Sequence, residues 1–144
     1  SLSAKKMKKH WYTYVLLSDG EMQEGSNWEA FMFSAHHKLD NLVAIIDYNN
    51  LQSLTTVEKT LNIHPLNDKL KSFGWHVIEV DGHNHNSLKK CFKDAILVKN
   101  KPTVIIALTT KGKGVSFMEN KVEWHYKSPN SKELDLAINE IENA

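Results

Sequence analysis

Apolar residues cluster along the chain in four short runs, at 12–17, 42–47, 75–80 and 103–108. Each is rich in Val, Ile, Leu or aromatic side chains and has the length of a strand. Three are nearly continuous rather than alternating, which predicts strands covered on both faces, as in a parallel sheet. Between them the spacing changes to that of helices. Trp28, Phe31, Met32, Ala35 and Leu39 recur on one helical face, as do Leu88, Cys91, Phe92 and Ala95, and at the end Leu134, Ala137, Ile138 and Ile141. Asn84 or Asn86 is suited to cap the helix around Leu88, and Asn130 or Ser131 the last one. A shorter helix is predicted over 67–73, closed by Gly74. Strand and helix alternate throughout, so the predicted class is α/β with a mostly parallel, doubly wound sheet.

The 144 residues contain no repeat and no low-complexity tract, and the three prolines are scattered, so residues 1–144 read as a single domain. Residues 4–9 read as the tail of a helix running straight into the first strand. A complete doubly wound domain has more before that point, so the expectation is a domain truncated at its N-terminus.

Composition narrows the function classes. Eighteen basic against 17 acidic residues leave a net charge of +1, too balanced for a nucleic-acid footprint or an anionic membrane surface. No apolar run approaches the ~18 residues of a membrane span. The basic start is followed by no apolar stretch, so it does not read as a signal peptide. The lone cysteine, Cys91, excludes an intrachain disulfide and a multi-cysteine zinc site. A cytoplasmic protein is the expectation.

In open sheets of this class, ligands sit beyond the carboxyl ends of the strands. That rule selects Ser18-Asp19-Gly20, Asp47-Tyr48-Asn49-Asn50 and Asp81-Gly82-His83-Asn84, together with the long connection 109–129. Asp19 and Asn49 are thirty positions apart, about one strand–helix–strand crossover, so both can reach one point above adjacent strand ends. A carboxylate, an amide oxygen and a backbone carbonyl are hard oxygen ligands, suited to magnesium or calcium. Asp-Gly and Asn-Asn are also common turn dipeptides, so spacing alone leaves a site and a pair of turns equally open. His83 and His85 lack a third ligand and read as a turn, and Cys91 sits in an apolar stripe and reads as core.

The wording around these positions is more specific. Residues 18–30 read SDGEMQEGSNWEA, 36–50 read HHKLDNLVAIIDYNN, and 111–120 read KGKGVSFMEN, followed by Trp124-His125. In this order they resemble the thiamine diphosphate-binding section of transketolase, in particular the N-terminal subunit of split bacterial forms. The resemblance implies that Asp19, Asn49 and the main-chain carbonyl of Leu51 ligate Mg2+ (or Ca2+). It further implies that Ser18, Asp19, Gly20 and Glu21 form the cofactor-binding turn, with the Gly20 backbone against the diphosphate. Lys111 and His125 match residues near the diphosphate and the substrate channel, and His125 is the implied catalytic residue. Glu24 and Glu29 match glutamates at the subunit interface.

The implied activity is transfer of a two-carbon ketol unit from a ketose phosphate to an aldose. Nothing in the chain matches the family's pyrimidine-binding domain. A C-terminal transketolase-like subunit is therefore the implied partner, in a homodimer or heterotetramer, with the present chain inactive alone. Two departures stand out. Ser18 replaces the first glycine of the motif, and Tyr126 follows His125 where glycine is usual, which would narrow the channel or alter sugar preference. The alternatives are a degenerate, non-catalytic fragment acting through protein contacts, and a subunit of another thiamine diphosphate enzyme.

Overall fold

The computed structural model describes residues 1–143. The four apolar runs form strands β1 (Thr13–Ser18), β2 (Leu42–Tyr48), β3 (His76–Asp81) and β4 (Thr103–Leu108). They pair in parallel in the order β1-β2-β4-β3. The helices are α1 (Leu2–Lys6), α2 (Gly25–His36), α3 (Val57–Thr60), α4 (Leu66–Ser72), α5 (His85–Ala95) and α6 (Ser131–Glu142). Single 3-10 turns run over Glu21–Gln23 and Val122–His125.

Handedness of the crossovers explains the layering. The connections from β1 to β2 and from β2 to β3 move across the sheet in one direction, and that from β3 back to β4 moves in the other. Right-handed crossovers then place the first two sets of helices on one face and α5 on the opposite face. The core follows that division. Ala44, Ile46 and Tyr48 of β2 and Val104 and Ile106 of β4 pack with Phe31, Val57, Leu66 and Leu70, whereas Val43, Ile105 and Ala107 pack with Cys91 and Ala95. Fully buried Ile46, Leu70 and Ile105 each contribute about 1.5–3 kcal/mol relative to exposure. The buried indole of Trp75 donates to the Phe31 carbonyl at 2.8 Å, so its polar atom is satisfied within the core.

Expectation and structure differ in three places. The continuous apolar runs match two-sided burial only for the central strands β2 and β4. Strand β1 is an edge, and Leu16 is 71% exposed. The first helix ends at Lys6 rather than Lys9, because Lys8 turns to φ 53° and the N–H groups of Lys8 and Lys9 bond back to the carbonyls of Lys5 and Ala4. In α6 only Ala137 of the apolar stripe is buried. The caps are Asn84 and Asn130, each accepting from the N–H three residues on, and Asn130 forms a complete capping box with Glu133. Among the described residues, no helix is long and apolar enough to cross a membrane.

Candidate functional site

The turn after β1 is built by reciprocal bonds. The Ser18 N–H donates to Glu21 Oε2 at 2.7 Å, and the Glu21 N–H donates to Ser18 Oγ at 3.2 Å. A serine at this position thus supplies an acceptor that glycine lacks, and the tight turn is retained. Met22, completely buried, anchors the turn in the core, and the Trp28 indole donates to its carbonyl at 2.8 Å. Gly20 has ordinary helical torsions (φ −65°, ψ −39°). A Cβ there would meet Gln52 Nε2 at 3.6 Å, an ordinary contact, so neither the fold nor the backbone angles require glycine at this position.

Asp19 points across to the end of β2. Its Oδ2 accepts from the N–H groups of Asn49 at 3.1 Å and Asn50 at 2.6 Å, leaving Oδ1 with lone pairs to spare. This is possible because Ser18 and Asp47 are register partners, so the two strands end side by side. Asn50 takes φ 64°, a left-handed turn of the chain directly after its hydrogen bond to Asp19. Asn49 Oδ1 accepts from the Leu51 N–H at 3.0 Å, an Asx turn that shapes the loop. Burial pushes the Asp19 carboxyl above its ordinary 3.8, and Asp47 adds to the rise, while the amides of Asn50, Asn49 and Gly20 pull it down.

A cleft of about 400 Å³ opens above these strand ends. Ser18, Asp19, Gly20, Glu21, Glu24, Asn49, Leu51, Lys111 and His125 all line it, joined by Asp47, Gln52 and Ser53. His125 Nε2 lies 3.4 Å from Ser53 Oγ. Glu29, on an exposed position of α2, and Tyr126, 75% exposed, are not among the lining residues. Nor is the loop after β3. That strand is the far edge of the sheet, and His83 instead accepts from the Thr110 N–H at 2.7 Å through Nε2.

A family model described as transketolase, thiamine diphosphate binding domain matches residues 4–140. The chain is 40% identical over 141 residues to one of the subunits of the apulose-4-phosphate transketolase of Phocaeicola vulgatus, covering 98% of this chain and 50% of that protein. It is 42% identical to human transketolase over 134 residues, 93% of this chain and 21% of that one. The chain belongs to the transketolase family. Its fold agrees, superposing on a transketolase from Campylobacter jejuni with a TM-score of 0.87 at 28% identity, over 93% of this chain and 21% of that one. It spans about half the length of the Phocaeicola relative and about a fifth of the longer transketolases.

Within this transketolase-family domain, the donor set can be tested for fit to a divalent cation and a diphosphate. Asp19 and Asn49 are hard oxygen donors on neighbouring loops, and no amide hydrogen bond ends on the Leu51 carbonyl among the described residues. Carboxylates of Asp19, Glu21, Glu24 and Asp47 line a cleft whose one lysine is Lys111. A bare diphosphate is repelled by such a lining, whereas a cation-bound one is not. Gln52 Nε2 is buried with no acceptor, beside Gly20 in the same cleft, and its N–H groups are available to an anionic oxygen. The residues fit both groups. Among the described residues, no cluster of three or more His, Cys, Asp or Glu forms an alternative metal site.

The strand-end rule selects the loop of Asp47 without giving that residue a role, and nothing in the sequence selects Gln52 or Ser53. Asp47 had a readable signal, standing last in a predicted strand opposite the Asp19 turn. Gln52 and Ser53 had none, because their placement depends on how the loop after Leu51 folds back through the isolated bridge between Leu51 and Thr56.

Proposed function

We propose that this chain is the diphosphate- and Mg2+-binding domain of a transketolase-type enzyme that moves a two-carbon ketol unit from a ketose phosphate to an aldose. The observation that carries the reading is the convergence of Asp19, Asn49, Leu51, Lys111 and His125, scattered over 107 positions of sequence, on one cleft. In this reading Asp19 Oδ1, Asn49 Oδ1 and the Leu51 carbonyl hold the cation. Lys111 adds a compact positive charge at the diphosphate. The Gly20 backbone and the Gln52 amide lie against its oxygens. His125, held near Ser53, orients the sugar substrate and carries a proton at Nε2. When bound, thiamine diphosphate supplies the nucleophilic carbon and the electron sink of ketol transfer.

The domain, residues 1–144, works with a separate chain carrying the pyrimidine-binding domain and is inactive without it. One feature of the relative at 40% identity supports that reading: it is named as one subunit of its enzyme. Glu24 at the cleft and Glu29 on α2 belong to the surface between paired subunits.

Calorimetry of the chain, by itself and with the pyrimidine-binding partner, tests the proposal. Titration with thiamine diphosphate in the presence of Mg2+ is expected to show saturable heat that Asp19→Ala abolishes. Ketol transfer between sugar phosphates is expected only with both chains present. Absence of binding to the reconstituted pair, or undiminished binding by Asp19→Ala, overturns it.

A further inference from the structure

Helix α6 turns an unexpected side toward the molecule. Its apolar spacing predicts Leu134, Ile138 and Ile141 as inward residues, yet they are 47%, 45% and 59% exposed. The side that meets the body carries Glu133, Ala137 and Glu140, spaced at i, i+4 and i+7. Glu140 accepts from both the N–H of Ser116, at 2.5 Å, and its Oγ, at 2.7 Å. Glu133 accepts from Lys127 Nζ at 2.7 Å, and that ammonium stands 4.0 Å from the ring centroid of Trp124.

These contacts end on the two arms of one loop. Ser116 lies in the arm that begins with Lys111, and Trp124 and Lys127 flank His125. The first arm is tied to itself. The Asn120 N–H donates to the Lys111 carbonyl at 3.0 Å, the Gly114 N–H donates to Glu119 Oε1 at 3.1 Å, and Lys113 pairs with the same oxygen at 3.4 Å. Such a loop is compact through its own contacts, and its placement depends on what grips it from outside. Near the sheet it is held through Thr109 Oγ1 on Asp47 and the Thr110 N–H on His83. Beyond Lys111 it meets the body at the 3.4 Å contact of His125 Nε2 with Ser53 Oγ, and the charged grips come from α6.

We propose that Glu133 and Glu140 are positioning residues, a two-point clasp by which α6 holds the loop so that Lys111 and His125 face the cleft of Asp19 and Asn49. The inference rests on reading that cleft as the diphosphate site. Neither glutamate touches the cleft, so each acts through the loop.

The test uses the full chain with Glu133→Ala, Glu140→Ala and the double substitution, each also combined with Lys111→Ala. Amide hydrogen exchange is followed over residues 111–127, and binding of inorganic pyrophosphate with Mg2+ is measured by calorimetry. The double variant is expected to exchange about tenfold faster in the loop, with the strands unchanged, and to bind pyrophosphate about tenfold more weakly, as loss of hydrogen bonds to charged groups implies. Glu140→Gln, which keeps one acceptor, is expected to fall between. The affinity loss is expected to vanish in the Lys111→Ala background, since the clasp acts by presenting that lysine. Unchanged loop exchange, or an equal affinity loss with and without Lys111, overturns the clasp. Wild-type protein that binds no pyrophosphate overturns the diphosphate reading and the clasp with it, and that failure is visible before any clasp variant is compared.

Discussion

The carboxylate of Asp19 and the backbone of Asn50 are joined by a 2.6 Å hydrogen bond in which the N–H donates to Oδ2. That bond ties the ends of two adjacent strands together at the floor of the cleft. At the same residue the chain takes φ 64°, a left-handed conformation that asparagine and glycine tolerate and branched residues do not.

Asn50→Gly should therefore fold with nearly wild-type stability and keep cofactor binding. Asn50→Val should lose about 1–2 kcal/mol and weaken binding together with stability. Urea unfolding midpoints for the two variants check this, and equal midpoints would contradict the role of the torsion.

Asp19 itself sets stability against function. Burial, with Asp47 nearby, holds its carboxyl above the ordinary 3.8, so the folded chain binds that proton more tightly than the unfolded chain does. Without a cation, this group makes stability fall as pH rises through the window above 3.8. Asp19→Asn keeps an acceptor for the two amides and removes the buried charge. It should raise the Tm of the ligand-free protein by a few degrees and abolish the Tm increase produced by Mg2+ with thiamine diphosphate. Scanning calorimetry with and without both ligands reads the two effects. A ligand-free wild type more stable than the variant would refute the electrostatic account.

Gly20 in the cleft and Gly112 beside Lys111 should respond differently to alanine. At Gly112, with φ 74°, a Cβ would stand 2.7 Å from the Met118 carbonyl oxygen, so Gly112→Ala should cost about 1–3 kcal/mol and displace the loop bearing Lys111. At Gly20 the added methyl meets only ordinary contacts. Gly20→Ala should leave Tm unchanged yet weaken thiamine diphosphate binding, because the methyl occupies space in the cleft. Melting curves and calorimetric titrations of both variants separate a structural glycine from a ligand-facing one.

Acid should loosen the α6 contacts. Lys127 holds the Glu133 carboxyl below its ordinary 4.5, and the Ser116 N–H does the same for Glu140. Depressed folded values mean that the contribution is present above 4.5 and lost as pH falls through the lower folded values. Both carboxylates remain partly open to solvent, so the effect is expected in local order rather than global stability. Intrinsic-rate-corrected hydrogen exchange of residues 111–127 should accelerate below that window before the strands respond. Simultaneous exchange of loop and strands would show that no separate loop transition exists.

Much of the cleft's lining is legible in the sequence. Asp-Gly after one apolar run and Asn-Asn after the next marked the two loops that meet, because a parallel crossover brings consecutive strand ends together. The words at 18–30 and 36–50, with those around Lys111 and His125, carried the resemblance to the family. Gln52 was not legible, since its buried, unpartnered amide arises from a loop that folds back on itself. The exposed stripe of α6 was not legible either. Helical periodicity shows which residues share a side but not which side meets the body, and here that side carries Glu133, Ala137 and Glu140.

By itself the sequence determined the strands, their alternation with helices and the loops able to carry chemistry, because each is written in local periodicity and composition, and its words at 18–30, 36–50 and 111–125 carried the resemblance to the family. Tertiary structure decided which of those loops meet. The order β1-β2-β4-β3 brings the ends of the first, second and fourth strands around one cleft and leaves Asp81 and His83 on the far edge. Strand order depends on pairings between residues distant in the chain and on the handedness of each crossover, and no local pattern encodes either.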